Sequence, residues 1–589
     1  MAEPSMVFDQ DAASRMMEYA YLSSSFAVKQ RFDLPSVDCF SSPYCTGNDF
    51  AFDELSVFAA SSSDPDLLSY DEAMRSPYSR QFVEAAADEI RSLEAHGTWD
   101  VVPQSDAKTR ILPGTWAFKL KRTPDGTIKK VKGRFCVRGD MQEGEFDTYA
   151  PVVGWTAVRL FLILALTLGW YMCAVDYSNA FVQAILNEAV WVHLPRGFAS
   201  PIPGAKYCLR LKKSLYGLSV APRLWHEHLL KALKAEGFSQ SIVDPCFLTK
   251  KDMMIILYVD DQGIAAKSKD LVDALIHNLQ TKHGFTLTYE STFAEFLGIK
   301  LEEDPKTGAI NMTQRGLIDK IIADTGLEDC NPNWNPTSTD ALGADPEGAP
   351  MHETWSYRSI VGKLLYLSTN TRPDIAFAVS QVARFAHEPK KSHATAIKTI
   401  VRYLARTRDK GTIVRPDGSL RIDCYADADF AGLYRREPDL DPTSAKSRTG
   451  FIIKLGGCPL VWKSQLQTAI SMSTLEAEYI ALSSSVRTLI PTRRLLEETV
   501  KRIGLSQELI DSIDCVVHED NNGALTLARD QRLTNRTKYL HVGWHWFWSF
   551  VGHLFRIVKC PTDEQCADYC TKALVRDKFE SNRRANQGW

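Results

Sequence analysis

The sequence predicts a multidomain protein of mixed α and β structure, with α+β and α/β segments in one chain. Three observations carry this. First, 589 residues is about three to four domains on the length prior. A hydrophobic share of 44% against 24% charged is that of a globular chain able to bury several cores. Second, apolar runs of strand length alternate with longer stretches of helical periodicity over most of the chain. Third, the apolar run Met253-Met254-Ile255-Ile256-Leu257 leads straight into Tyr258-Val259-Asp260-Asp261, and Gly263-Ile264-Ala265-Ala266 follows. This reads as a hairpin with two carboxylates at its turn.

Adjacent carboxylates at a strand end raise each other's pKa unless a cation neutralises them. Magnesium, a hard oxygen-seeking ion, is typically held by one or two carboxylates together with substrate phosphates. The alternative is an acidic surface turn, and the rest of the chain has to decide between them. Net charge is −3, so only local charge can speak for or against nucleic acid. Thirteen scattered cysteines form no dense framework and indicate reduced thiols. No basic and apolar leader follows Met1, so no secretory signal is expected. The apolar stretch Leu160 to Val175 is broken by Gly169-Trp170 and reads as a buried helix, too short to span a bilayer.

In chain order, residues 1–66 carry serine runs and mixed acids and read as a loosely ordered leader. Cys39 and Cys45 lack a second pair for zinc. After Ser76-Pro77, the positions Phe82, Val83, Ile90 and Leu93 mark a helix that Gly97 stops. Ten Lys and Arg between Lys108 and Arg138 face one acid, Asp125. Asp125-Gly126 signals a hairpin turn, so these cations lie on a two-stranded ribbon, many on one face. Such a ribbon suits phosphates, of a nucleotide or of a backbone; a solvated ribbon is the plain alternative. Asp176 closes the strand Tyr171–Val175 and opens a turn into a helix through Phe181. It is a third carboxylate at a strand end, able to join the pair if the strands are neighbours. Asn331 to Pro350, dense in Pro and Gly, reads as a linker.

Several blocks in order resemble copia-type long-terminal-repeat retrotransposon Pol polyproteins. "AVDYSNAFVQAILNEAVWVHLPRGF", "LKKSLYGLSVAPRLW" and "ILYVDD" are similar to the reverse transcriptase signature blocks. "GTWDVVP", "TWAFKLKRTPDGTIKKVKGRFCVRGDMQ" and "APVVGWTAVRLFLILA" resemble the fingers, and "FLGIKL" the primer-gripping turn. "DCYADADFAG", "SMSTLEAEYIALSSSV", "CVVHEDNNGALTLA" and "CADYCTKAL" resemble the ribonuclease H domain that ends the same polyprotein.

The resemblance implies a right-hand polymerase with fingers, ferredoxin-like palm and thumb, then a ribonuclease H-like mixed sheet with helices. Its domains would be residues 67–310 for fingers and palm, and 311–419 for thumb and connection with the linker near 331–350. Residues 420–575 would be the ribonuclease domain and 576–589 a tail. It implies an RNA-directed DNA polymerase with ribonuclease H, each site holding two Mg2+ or Mn2+ ions. Asp176, Asp260 and Asp261, with the carbonyl of Tyr177, would hold the polymerase pair. Lys119 and Arg134 would neutralise the triphosphate, and Tyr216 and Gly217 would pack on nucleotide and template. Phe181 is either the aromatic gate against a 2′-hydroxyl or a core aromatic. Asp427, Glu478, Asp520 and Asp568, the last on a helix, would form the ribonuclease site; Asp429 and Glu476 would not. Implied partners are RNA template, DNA primer, deoxynucleotides, RNA–DNA hybrid, and the integrase or capsid protein of the same element, with no membrane. The location would be cytoplasmic virus-like particles and the nucleus.

The chain departs from the pattern at Tyr177-Ser178-Asn179, at Phe430, in an insertion from Leu433 to Lys446, and at Tyr539-Leu540-His541-Val542. None of these is an assigned carboxylate. Cys560, Cys566 and Cys570 read as packed thiols. Protease, zinc-knuckle and integrase signals are missing, as expected for the C-terminal part of a polyprotein. Two further readings stay open: an inactive relic that still binds nucleic acid, and a metal phosphotransferase with no nucleic-acid substrate.

Overall fold

The apolar run Met253–Leu257 is a strand buried along its whole length, and its hairpin partner Asp261–Ala266 is buried after its first residue. The computed structural model describes residues 66–589 apart from 123–127, 199, 201, 203, 339–341, 435–441 and 535–536. The leader (save Asp66), the Asp125-Gly126 turn and half of the Leu433–Lys446 insertion lie outside the described residues. The chain divides into two compact units. One comprises Met1–Ala150, Tyr177–Leu233 and Gly284–Thr286; the other comprises Pro151–Asp176, Lys234–His283 and Leu287–Trp589.

In the first unit, the helix Ser79–Ala95 buries Phe82, Ala86, Ile90 and Leu93, a single helical stripe. It ends at His96, with Gly97 at φ +62 accommodating the turn. The stripe packs on the ribbon Gly114–Arg122/Ile128–Val137. Trp116, Phe118 and Leu120 alternate inward from one strand, Gly133 and Phe135 from the other. The register therefore sets Lys119 opposite Lys132 and Lys121 opposite Lys130 on the other face. Like charges directly opposed destabilise a sheet, and the Glu89 carboxylate offsets part of that repulsion at Arg134 and Lys132. A second sheet runs in the order Trp99–Pro103, Tyr207–Lys213, Ile185–His193, Ile111–Leu112.

In the second unit, a six-stranded sheet runs in the order Leu287–Glu290, Tyr171–Tyr177, Asp261–Ala266, Met253–Tyr258, Phe247–Lys250, Ser239–Gln240. The apolar helix Trp155–Leu168 packs against it, buried nearly all round. Among the described residues no helix is long and apolar enough to cross a membrane. Arg159 of this helix is fully buried, its guanidinium 3.9 Å from the Trp462 ring centre, and it donates to the carbonyls of Leu460, Thr369 and Asn370. The last two end the helix Tyr357–Asn370, where a cation is favoured. A five-stranded sheet follows in the order Cys458–Leu466, Arg448–Leu455, Ile422–Asp429, Cys515–Glu519, Arg556–Lys559. Its first three strands are antiparallel and its last two join in parallel, with the long helix Thr474–Arg502 packed on it.

Two stretches are more firmly held than their composition suggests. In the 331–350 linker, Trp334 is sandwiched between the guanidinium groups of Arg406 and Arg576, 3.1 and 3.6 Å from its ring centre. Residues 576–589, expected as a tail, form the helix Arg576–Gln587, which buries Phe579, Asn582, Asn586 and Gln587. Its end completes a fully buried ion pair. Arg372 donates to Asp374 at 2.8 Å, and Asp374 also accepts from Tyr403 at 2.6 Å and Gln587 at 3.2 Å. Taking one charge from such a pair strands the other, at a cost of about 3–5 kcal/mol. Asp374→Ala is therefore expected to lower the stability of this unit by about that amount in urea melts.

Candidate active site

The two strands of the aspartate hairpin close at the pair Tyr258–Asp261, which leaves Val259 and Asp260 as a two-residue turn. Such turns need positive φ at their first position, normally supplied by Gly, Asn or Asp. Here Val259 takes it, at φ +53. A β-branched residue in the left-handed region stores strain of about 1–3 kcal/mol. That strain sits at the tip that aims Asp260. On its other edge, Asp261–Ala266 pairs antiparallel with Tyr171–Tyr177, in a register that sets Asp261 directly opposite Asp176. Opposed residues on neighbouring strands have Cβ atoms about 4.5–5.5 Å apart. Three acids from two distant segments thus share one sheet end. Partial desolvation, followed by repulsion from Asp260, Asp176 and Glu295, lifts the Asp261 carboxyl to about 6. Tyr177 follows on the same strand, its ring buried and 5.0 Å from that of Trp225.

The predicted substrate residues of the first unit also assemble. The Arg134 guanidinium lies 4.7 Å from the Tyr216 ring centre, and Phe181 meets the same ring edge-on at 5.0 Å. Phe181 is half-buried, packed against the core of this unit. Gly217 sits at φ +88, where a Cβ would come 2.1 Å from the Val137 carbonyl oxygen. Val137 N–H donates to Tyr216 O at 2.7 Å and Gly139 N–H to Gly217 O at 3.1 Å. The loop is in this way tied to the end of the ribbon. Lys119 is exposed on the cationic face.

A second acidic cluster lies in the five-stranded sheet. Ile422–Asp429 and Cys515–Glu519 run parallel with Tyr425 opposite His518, so their carboxyl ends bring Asp427 and Asp520 side by side. Ala428, Ala477 and Ala481 let the helix Thr474–Arg502 approach the strand closely, and Glu478 projects from that helix. One oxygen each from Asp427, Glu478 and Asp520 lies within 4.8 Å of the others, the one such group among the described residues. The hairpin triad does not reach that spacing. The donor set is all carboxylate, suited to a hard divalent cation. Glu478 Oε2 is buried without a hydrogen-bond partner, consistent with a place for one. Burial raises the Asp427, Glu478 and Asp520 carboxyls above the usual range, and mutual repulsion adds to it.

Asp568 lies beside this trio rather than within it, on a single 3-10 turn, Asp568–Cys570, instead of a helix. Lys572 Nζ is 2.8 Å from Asp568 and 3.5 Å from Asp427. Thr571 Oγ1 donates to Asp427. Asp429 is absent from the trio, and Glu476 caps its own helix by accepting from Met472 N–H at 2.7 Å. Sequence reasoning missed Lys572 and the fully buried Glu519, whose carboxyl is also raised by burial and by Asp520 and Asp427. The signal for Glu519 was an acid inside the apolar strand beside Asp520. The cysteines Cys560, Cys566 and Cys570 are buried thiols.

Residues 96–339 match the family described as reverse transcriptase (RNA-dependent DNA polymerase). The chain is 32% identical over 540 residues to the retrovirus-related Pol polyprotein from transposon TNT 1-94 of Nicotiana tabacum, covering 88% of this chain and 39% of that one. It is 30% identical over 535 residues to that from transposon RE1 of Arabidopsis thaliana, covering 90% and 35%. The chain is a homologue of copia-type transposon Pol polyproteins. It spans under two fifths of the length of these two relatives. The reverse transcriptase match contains Asp176, Asp260 and Asp261 together with the ribbon; the second acidic cluster lies beyond it.

Proposed function

We propose that this chain is the polymerase and ribonuclease H portion of a retrotransposon Pol polyprotein: an RNA-directed DNA polymerase that also cleaves RNA in RNA–DNA hybrids. The observation that carries the polymerase half is Asp176 standing opposite Asp261 across paired strands, next to Asp260, inside the reverse transcriptase match. For the ribonuclease half it is the convergence of Asp427, Glu478 and Asp520. Fingers, palm, thumb and ribonuclease H-like folds belong to this reading.

Asp176, Asp260, Asp261 and the Tyr177 carbonyl would hold two Mg2+ or Mn2+ ions, and Asp427, Glu478, Asp520 and Asp568 a second pair. Such ions, when bound, activate an attacking oxygen and stabilise a leaving one. The side chains do the rest. Lys119 and Arg134 neutralise the triphosphate. Tyr216, held under Arg134, gives the nucleotide a flat surface, and Phe181 beside it disfavours a 2′-hydroxyl. Lys572, between Asp427 and Asp568, limits repulsion in the second cluster. The substrates are an RNA template, a DNA primer and deoxynucleotides, then the hybrid they yield. By the same reading the chain associates with integrase or capsid protein of the same element, in cytoplasmic particles and the nucleus.

The test is one purified preparation assayed twice, for primer extension on an RNA template and for cleavage of a hybrid. Both activities are expected with Mg2+ or Mn2+ and neither in EDTA. A chain that binds primer–template tightly yet extends nothing with either metal would support the inactive relic instead.

A further inference from the structure

One stripe of the helix Arg576–Gln587 is polar and bonds to a single loop. Lys578, Asn582 and Asn586 stand four residues apart, so they lie one above the other on the same face. Each donates to main-chain carbonyls of the loop 560–568. Lys578 Nζ reaches Thr562 O at 3.1 Å and Asp563 O at 2.5 Å. Asn582 Nδ2 reaches Gln565 O at 3.2 Å, and Asn586 Nδ2 reaches Cys566 O at 3.0 Å. The order of donors along the helix matches the order of acceptors along the loop. Asn582 and Asn586 are buried, where a carbonyl left without its donor is costly.

The course of this loop gives those bonds their consequence. It follows the strand Arg556–Lys559, which pairs in parallel with Cys515–Glu519, Lys559 opposite Glu519. The loop therefore leaves the sheet beside Asp520, and Thr562 turns its hydroxyl to the Asp520 carboxylate, favouring the charged form. Further on, Gln565 Nε2 donates at 2.8 Å to the carbonyl of Ala426, the residue before Asp427. The loop closes at Asp568, whose carboxylate lies 3.6 Å from Lys578 Nζ and 2.8 Å from Lys572 Nζ. Lys578 thus meets both the backbone of the loop and one of the acids at its end.

We propose that the helix Arg576–Gln587 sets the geometry of the candidate ribonuclease site, with Lys578 as a positioning residue that holds the loop so that Asp520 and Asp568 keep their places beside Asp427 and Glu478. The inference rests on the reading that this cluster cleaves RNA in a hybrid. Lys578 acts on Asp520 through Thr562 and on Asp568 directly. Removing contacts of this kind around a metal centre typically costs about 10–100-fold in metal affinity or activity.

The test uses the full chain with Lys578→Met, Lys578→Arg, Thr562→Val and the double variant Lys578→Met/Thr562→Val. Single-turnover hybrid cleavage at saturating Mg2+ should slow about tenfold in Lys578→Met, with hybrid affinity and primer extension within about twofold of wild type. Lys578→Arg, which keeps the cation, should recover most of the loss. Thr562→Val alone should slow cleavage by a similar factor. In that background Lys578→Met should cost less than about threefold, because the contact it serves is already gone. In EDTA, backbone amides of residues 562–568 should exchange about tenfold faster in Lys578→Met, and those of Ile422–Asp429 at the wild-type rate. Wild-type cleavage by a folded Lys578→Met overturns the proposal. So does an equal loss of primer extension, or a full tenfold loss in the Thr562→Val background. If Lys578→Met does not fold by circular dichroism, wild-type cleavage by Thr562→Val overturns it. If wild type cleaves no hybrid, the ribonuclease reading fails, and amide exchange alone decides whether the helix holds the loop.

Discussion

Replacing Asp260 and Asp261 together by asparagine is expected to lower primer extension by at least about 10³-fold while leaving hybrid cleavage within twofold of wild type. The amides keep the size of the side chains but remove the negative charge that a divalent ion needs. Among the described residues no strand connects this hairpin's sheet to the sheet that holds Asp427, so the loss should stay confined to synthesis. Extension should also depend on pH. Asp261 titrates near 6 in the metal-free chain. Below that pH its carboxyl is protonated and cation binding weakens, so the metal concentration needed for half-maximal extension should rise as pH falls through 6. Quantitative extension assays at fixed primer–template and varied Mg2+ check both statements. Equal loss of cleavage in the double variant would mean that the substitution had damaged the fold.

Glu478→Gln is expected to reverse that separation, cutting hybrid cleavage by about 10²–10³-fold and sparing extension. It carries a second consequence from the same geometry. Glu478 is buried beside Asp427, Glu519 and Asp520, and burial together with that repulsion raises its pKa above the ordinary value of 4.5. A carboxyl whose folded pKa is raised contributes stability that is complete below the unfolded pKa and lost as pH climbs through the folded one. Metal-free wild type should therefore lose stability from about pH 4.5 upward. Glu478→Gln, which cannot ionise, should lose less and melt at a higher temperature than wild type in EDTA at neutral pH. Added Mg2+ should raise the melting temperature of wild type more than that of the variant. Melts at pH 5 and pH 8, with and without metal, read all three effects. An inactive variant that melts lower than wild type in EDTA would contradict the account of crowded carboxylates.

Much of this was legible in the sequence, for identifiable reasons. The aspartate hairpin announces itself because a fully buried strand must be apolar at every position, and Met253–Leu257 is. The ribbon's charged face follows from period-two alternation, which Trp116, Phe118 and Leu120 obey on the opposite side. The acids of the second cluster were found through resemblance, since none of their spacings has a local period. Register was beyond reach: that Asp176 meets Asp261 rather than a residue further along depends on how strands distant in sequence pair. Composition misled where tertiary contacts overrule it. Pro and Gly around Trp334 suggest a free linker, but two arginines 72 and 242 residues downstream clamp the ring. The C-terminal helix has few apolar residues, and it is held by polar ones, Asn582, Asn586 and Gln587, whose burial no hydropathy pattern reveals. Lys572 and Glu519 were missed because a search for metal ligands ignores the groups that balance them.

The most direct measurement is single-turnover incorporation of one deoxynucleotide on an RNA template, comparing wild type with Asp176→Asn at saturating Mg2+. Asp176 lies far upstream of the hairpin and stands opposite Asp261 across paired strands. Wild type should incorporate, and Asp176→Asn should be slower by about 10²-fold or more with primer–template affinity unchanged. Incorporation by Asp176→Asn at the wild-type rate would show that the three aspartates do not share one site.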